Sequence, residues 1–77
     1  MNTYRYNFKA KCPNDDAEIM YQIEIKTEAM IMAEDIVKTC NHVDGYQEYI
    51  AGVIKEKIGG KVTLTGTHSG VYIVSEL

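Results

Sequence analysis

Tryptophan is absent from these 77 residues, proline and phenylalanine occur once each, and there are only two cysteines. Two cysteines cannot build the disulfide framework that holds many small secreted domains together. No apolar run approaches the roughly 20 residues needed to cross a bilayer; the longest candidate, Ala29 to Ala33, is far too short. Basic residues are also few, eight against eleven acidic ones, for a net charge of −3. That balance gives no general attraction to a phosphate backbone, which argues against direct nucleic-acid binding. The stretch Met1 to Phe8 mixes polar, charged and aromatic residues where an export signal needs a basic start and a continuous apolar segment. A cytoplasmic protein is therefore expected, in which the cysteines are free thiols or metal ligands before they are a disulfide.

What is present is an ordinary globular composition, 45% apolar and 25% charged, in a chain long enough for one domain spanning residues 1–77. A domain this small buries only about 60% of its unfolded surface, so a metal, a disulfide or a subunit interface would add useful stability. From Tyr4 the apolar residues alternate, Tyr4, Tyr6, Phe8 and Ala10, which predicts a half-buried strand with Cys12 continuing the inward phase. Pro13 to Asp16 supplies a turn, and Ile19, Tyr21, Ile23 and Ile25 repeat the alternation, so the two strands predict an antiparallel hairpin.

Thr27 is placed to cap a helix starting at Glu28, with Ala29, Ala33, Ile36, Val37 and Cys40 on one stripe and Ile31 opposite. Asp44 and Gln47 form a capping-box pattern for a second helix with Tyr46, Tyr49, Ile50, Val53 and Ile54 on its apolar face, ended by Gly59-Gly60. A plain turn at Asp44-Gly45 is the competing reading. Val62 and Leu64 then alternate with polar neighbours, Gly66 to Gly70 reads as a turn region, and Val71 to Val74 closes a second hairpin. The fold class expected is two-layer α+β in ββααββ order, a four-stranded, mainly antiparallel sheet with both helices on one face.

Following the chain through these reversals brings Cys12, Cys40, His42 and His68 to the same end of the domain. Two thiolates and two imidazoles are a complete tetrahedral set for structural Zn²⁺, whose binding would contribute folding energy. No C-x-x-C or H-x₃-H knuckle accompanies them, so such a site would be assembled by tertiary structure, with Asp15 or Asp16 able to replace a histidine. The plainer alternative is a small buried Cys40 and two solvated loop histidines. A Cys12–Cys40 disulfide or thiol contact is a third arrangement.

No catalytic signature is complete. Gly66-Thr67-His68-Ser69-Gly70 has histidine where a nucleophile elbow needs serine, and it lies in a hairpin. No phosphate-binding glycine loop opens either helix. A cysteine nucleophile served by His42 or His68 is chemically sound, but 77 residues leave little room for the usual pocket of several hundred cubic ångströms. Six tyrosines are available for core or interface. Ile31 and Met32, off the core stripe, and Asp15, Asp16 and Glu18, in and beside the first turn, are the candidates for contacting a partner.

In its size, acidity, lack of catalytic motifs and hairpin–helices–hairpin order, the chain resembles the small anti-defence proteins of phages and mobile elements, especially anti-CRISPR proteins. That resemblance implies a non-enzymatic, protein-binding inhibitor, monomeric or dimeric in the host cytoplasm. It would occlude a nucleic-acid-binding or conformational surface of a CRISPR effector nuclease. The same order of elements is similar to units of the tunnelling fold, which implies instead a homo-oligomeric small-molecule-binding or metabolic protein, although the pterin and purine motifs of that fold are not found here.

Overall fold

The computed structural model describes residues 1–77. Strands β1 (Asn2–Lys11), β2 (Glu18–Thr27), β3 (Lys61–His68) and β4 (Val71–Glu76) form one antiparallel sheet in the order β1-β2-β3-β4. Helices α1 (Ala33–Cys40) and α2 (Gln47–Ile58) lie between β2 and β3 in sequence. The architecture is the expected two-layer ββααββ arrangement. No helix is long and apolar enough to cross a membrane.

Register explains how the two layers meet. Phe8 pairs with Tyr21 and Tyr21 with Gly66, while Tyr6, Ile23 and Leu64 form the next row and Tyr4, Ile25 and Val62 the one after. Residues in these rows share a face because side chains alternate along a strand. Ile36 and Cys40 from α1, and Ile50, Ala51 and Ile54 from α2, join Ile23, Ile25, Val62 and Leu64 in one buried cluster, so both helices cover that face. Each fully buried isoleucine or leucine contributes about 2 kcal/mol of hydrophobic stabilisation. The opposite face carries Arg5, Asn7, Gln22, Glu24, Thr65 and Tyr72, and Arg5 pairs there with Glu24 at 2.9 Å.

Several boundaries differ from the sequence expectation, each for a local reason. Helix α1 starts at Ala33, not Glu28. Thr27 Oγ1 accepts the Ala29 N–H at 3.1 Å, making a turn, and the Ile31 N–H donates to the Tyr4 hydroxyl at 3.0 Å, which fixes the segment alongside β1. Ile31 is consequently half-buried against the core and unavailable as the free interface residue expected, whereas Met32 is exposed. Ala29, Ala33 and Val37, placed on the apolar stripe by periodicity, are exposed.

Helix α2 starts after Tyr46 because Asp44 has another partner: its Oδ1 accepts the Lys11 N–H at 2.9 Å, tying the interhelical loop to the end of β1. Gly45, at φ +140°, interrupts any continuation into the helix. The buried face of α2 is Gln47, Ile50, Ala51 and Ile54, while Tyr46 and Tyr49 are exposed rather than core residues.

The expected Gly66–Gly70 turn is narrower. Strand β3 runs through Gly66 to His68, which pairs with Val71. Ser69 and Gly70, at φ +51° and +82°, make the two-residue turn, the positive-φ pair that suits a tight hairpin. Gly66 has a different task. A Cβ built there would stand 2.6 Å from the Tyr21 ring. We expect Gly66→Ala to destabilise the fold by about 1–3 kcal/mol through overpacking. Much of that loss should disappear in a Tyr21→Ala background, measured as coupling in urea unfolding; additive losses would show that the ring is not the obstruction.

Candidate functional site

The loop after β1 is closed by its own backbone. The Cys12 N–H donates to the Ala17 carbonyl and the Asp16 N–H to the Cys12 carbonyl, both at 2.9 Å, and Asp15 Oδ1 accepts the Ala17 N–H at 3.1 Å. Asp16 adopts φ +60°, a conformation aspartate tolerates better than most residues. This loop, the first turn of α2 and the β3–β4 hairpin surround a cleft of about 580 Å³. Its walls carry the Cys12 thiol, the Asp15 and Glu48 carboxylates, the His68 imidazole and the Ser69 hydroxyl, with Ile19, Tyr46 and Ile73 supplying apolar surface. No lysine or arginine lines it. The cleft is a wider opening than a chain of this length promised.

Beneath the cleft lies a buried polar network centred on Gln47, whose side chain is only 3% exposed. Its amide nitrogen donates to the Leu64 and Ile73 carbonyls, both at 2.9 Å, and stands 3.2 Å from the Ser75 hydroxyl. Carbonyl oxygens only accept, so this fixes which end of the amide is nitrogen. Gln47 Oε1 then faces His68 Nε2 at 2.8 Å. The Tyr21 hydroxyl lies 3.4 Å from the same ring nitrogen, with the two rings tilted and 5.7 Å apart. Burial, and then the negative charges of a Cys12 thiolate and of Glu48, push the Tyr21 phenol above its ordinary range. Tyr21 is therefore a neutral hydroxyl at physiological pH.

The four soft ligands singled out from the sequence do not gather. Cys12 and His68 share the cleft. Cys40 is fully buried in the hydrophobic core, where desolvation raises its thiol from 9.0 to about 11. His42 turns the other way: its Nδ1 lies 2.7 Å from the Lys38 carbonyl, and the ring lines an outer groove between the helices of about 640 Å³. No three His, Cys, Asp or Glu side chains come together in metal-binding geometry. Both cysteines are free thiols. Chain reversal brings Cys12 and His68 to one cleft, but Asn41, between Cys40 and His42, bonds to Tyr6 midway along β1, and Cys40 ends a helix whose buried stripe points it inward. Although the interhelical groove is slightly larger, its walls mix Asp35, Lys38, Glu56 and Lys57, and the buried polar residue Gln47 does not line it.

Of the residues proposed for partner contact, Asp15 lines the cleft, Asp16 and Glu18 are exposed beside it, and Met32 is exposed far along the chain before α1. Glu48 and Gln47 were missed as site residues. The signal for Gln47 was the capping-box spacing, and it was assigned to the helix end because the competing demand from Lys11 on Asp44 is a tertiary contact.

No family model and no curated protein matches this chain. Among solved structures it is similar to the archaeosine synthase QueF-Like in the apo form, with a TM-score of 0.67 and 19% identity over 97% of this chain and 90% of that one. A likeness at that identity shows a common fold.

Two expectations concern the thiols. A water-soluble thiol reagent should modify Cys12 quickly in the native protein and Cys40 only after unfolding; equal rates would mean the core opens around Cys40. Because the folded-state value for Cys40 lies above its unfolded one, its contribution to stability is complete below pH 9.0 and is lost as pH rises to about 11. Cys40→Ala, assayed by urea unfolding from pH 8 to 11, should flatten that alkaline slope while lowering stability at neutral pH.

Proposed function

We propose that this chain is a small-molecule-binding subunit of tunnelling-fold-like topology, that it assembles with copies of itself, and that its ligand occupies the cleft between the Cys12–Ala17 loop, α2 and the β3–β4 hairpin. The observation carrying this reading is the composition of the cleft: two carboxylates and an imidazole over a partly apolar floor, without a cation. Carboxylates accept hydrogen bonds and cannot donate them when ionised. The ligand class that suits these walls is neutral or cationic, rich in N–H or O–H donors, and flat enough to lie against Tyr46 and Ile73. Phosphorylated ligands would meet repulsion from Asp15 and Glu48 with nothing to offset it.

Assembly is supported by the sheet. Both β1 and β4 are edge strands with unpaired backbone groups on their outer sides, and open edges of this kind are templates for pairing with another chain. Tyr72 and Val74 are exposed beside the β4 edge. The likeness to an enzyme, archaeosine synthase, supports a second role for the same cleft, in which the Cys12 thiol, lining it with His68, adds across a polarised double bond of a ligand, the new sulfur–carbon bond replacing the π bond and the thiol proton passing to the other atom of that bond. The protein-inhibitor reading drawn from resemblance to anti-CRISPR proteins rests on size, acidity and element order and on no feature of the cleft, and ranks below these.

Native mass spectrometry and light scattering at micromolar concentration should find a homo-oligomer, which Tyr72→Glu with Val74→Glu weakens; a strict monomer would overturn the assembly. In thermal-shift assays a flat amidine-like probe such as 2-aminobenzimidazole should raise the melting temperature where adenosine monophosphate does not. The opposite ranking would overturn the ligand class.

A further inference from the structure

We propose that His68 contacts the ligand through Nδ1, acting as a hydrogen-bond acceptor, and that Gln47 is the positioning residue that holds the ring in this state. The inference deepens the cleft reading above and rests on it. Four observations carry it. First, the orientation of the Gln47 amide is fixed by two backbone carbonyls, of Leu64 and Ile73, that can only accept from it. Second, this leaves Gln47 Oε1 as an acceptor 2.8 Å from His68 Nε2, so that nitrogen must carry the proton. A ring bearing its proton on Nε2 has a lone pair on Nδ1 when neutral. Third, no protein group bonds to His68 Nδ1, since every hydrogen bond of this ring runs through Nε2. Fourth, the ring is half-buried and lines the cleft.

The consequence is selectivity. Asp15 and Glu48 accept by charge, and His68 becomes a third acceptor because its donor is already committed to the interior. A ligand entering the cleft must supply donors to three walls, which favours an amino-substituted or amidine-like ring over an isosteric one lacking the exocyclic N–H. Gln47 also joins α2 to β3 and β4, so a purely structural role must be separated from positioning. Gln47→Glu does so: it keeps an oxygen for His68 Nε2–H but, having at most one O–H and none when ionised, cannot donate to both the Leu64 and Ile73 carbonyls. Gln47→Met removes both functions.

The test is long-range ¹H–¹⁵N NMR of the histidine rings at about pH 8.5, roughly two units above the ordinary imidazole value, with and without 2-aminobenzimidazole. His68 should be a pure Nε2–H form in the wild type and in Gln47→Glu, even though that variant melts at lower temperature, and should become a tautomer mixture in Gln47→Met. The probe should shift the Nδ1 resonance, and it should bind about fivefold more weakly to Gln47→Met, the value of one ordinary hydrogen bond. Benzimidazole without the amino group should bind more weakly than the probe. An Nδ1–H form or a mixture in the wild type would overturn the proposal without touching the cleft reading. The same holds if the probe shifts cleft amides but leaves Nδ1 still. No binding by the probe anywhere in the cleft, beside a locked tautomer, would overturn both. If Gln47→Met fails to fold, the tautomer retained or lost in Gln47→Glu decides the positioning role.

Discussion

A single buried amide fixes how this small domain fits together. Gln47 sits at the start of α2 and reaches into the sheet, donating to carbonyls on β3 and β4 and accepting from His68. A buried side-chain amide with an unmade bond costs about 1–3 kcal/mol, so the position of α2 over the sheet is tied to these partners as well as to apolar contact. The close approach of the Tyr21 ring to Gly66 depends on the same geometry: a side chain at Gly66 would meet both that ring and Gln47 Oε1. No buried side-chain polar atom is left without a partner.

The cleft is a by-product of this arrangement. α2 is anchored deep on one side by Gln47, while Asp44 holds the preceding loop against the end of β1. The next residue, Glu48, is thereby carried to the rim, facing the loop of Cys12 and Asp15. Polar groups that hold the fold thus stand directly behind the polar groups lining the cleft, so a 77-residue chain forms this opening without long loops. The hydrophobic core meets this network at Tyr21. Cys40 lies within the core as a small apolar residue, and its raised thiol value reflects burial alone.

Strand periodicity carried over to the fold residue by residue: Tyr4, Tyr6, Phe8 and Ala10 on β1, and Tyr21, Ile23 and Ile25 on β2, all face the helices. Helix periodicity carried over less well. Ile36 and Cys40 were placed correctly, but Ile31 and Val37 exchanged roles because the Tyr4 hydroxyl holds the Ile31 backbone outside the helix. The cysteines and histidines show the same limit. Reversals of chain direction put Cys12 and His68 at one end, where they share a cleft, yet His42 turns toward the Lys38 carbonyl and Cys40 into the core. Which end of an element a residue occupies follows from topology; which way its side chain points depends on the nearest partner.

The sequence by itself determined the order of elements, the antiparallel hairpins and the sheet face that is buried, because alternation and turn residues act over a few neighbours. Tertiary structure alone decided the site. Gln47 reads as a helix cap until Lys11 takes Asp44, Gly66 reads as a turn until the Tyr21 ring crosses it, and Glu48 reads as one more surface charge until the loop of Cys12 faces it. Each of these roles is set by a group far away in the chain, at a separation no local pattern encodes.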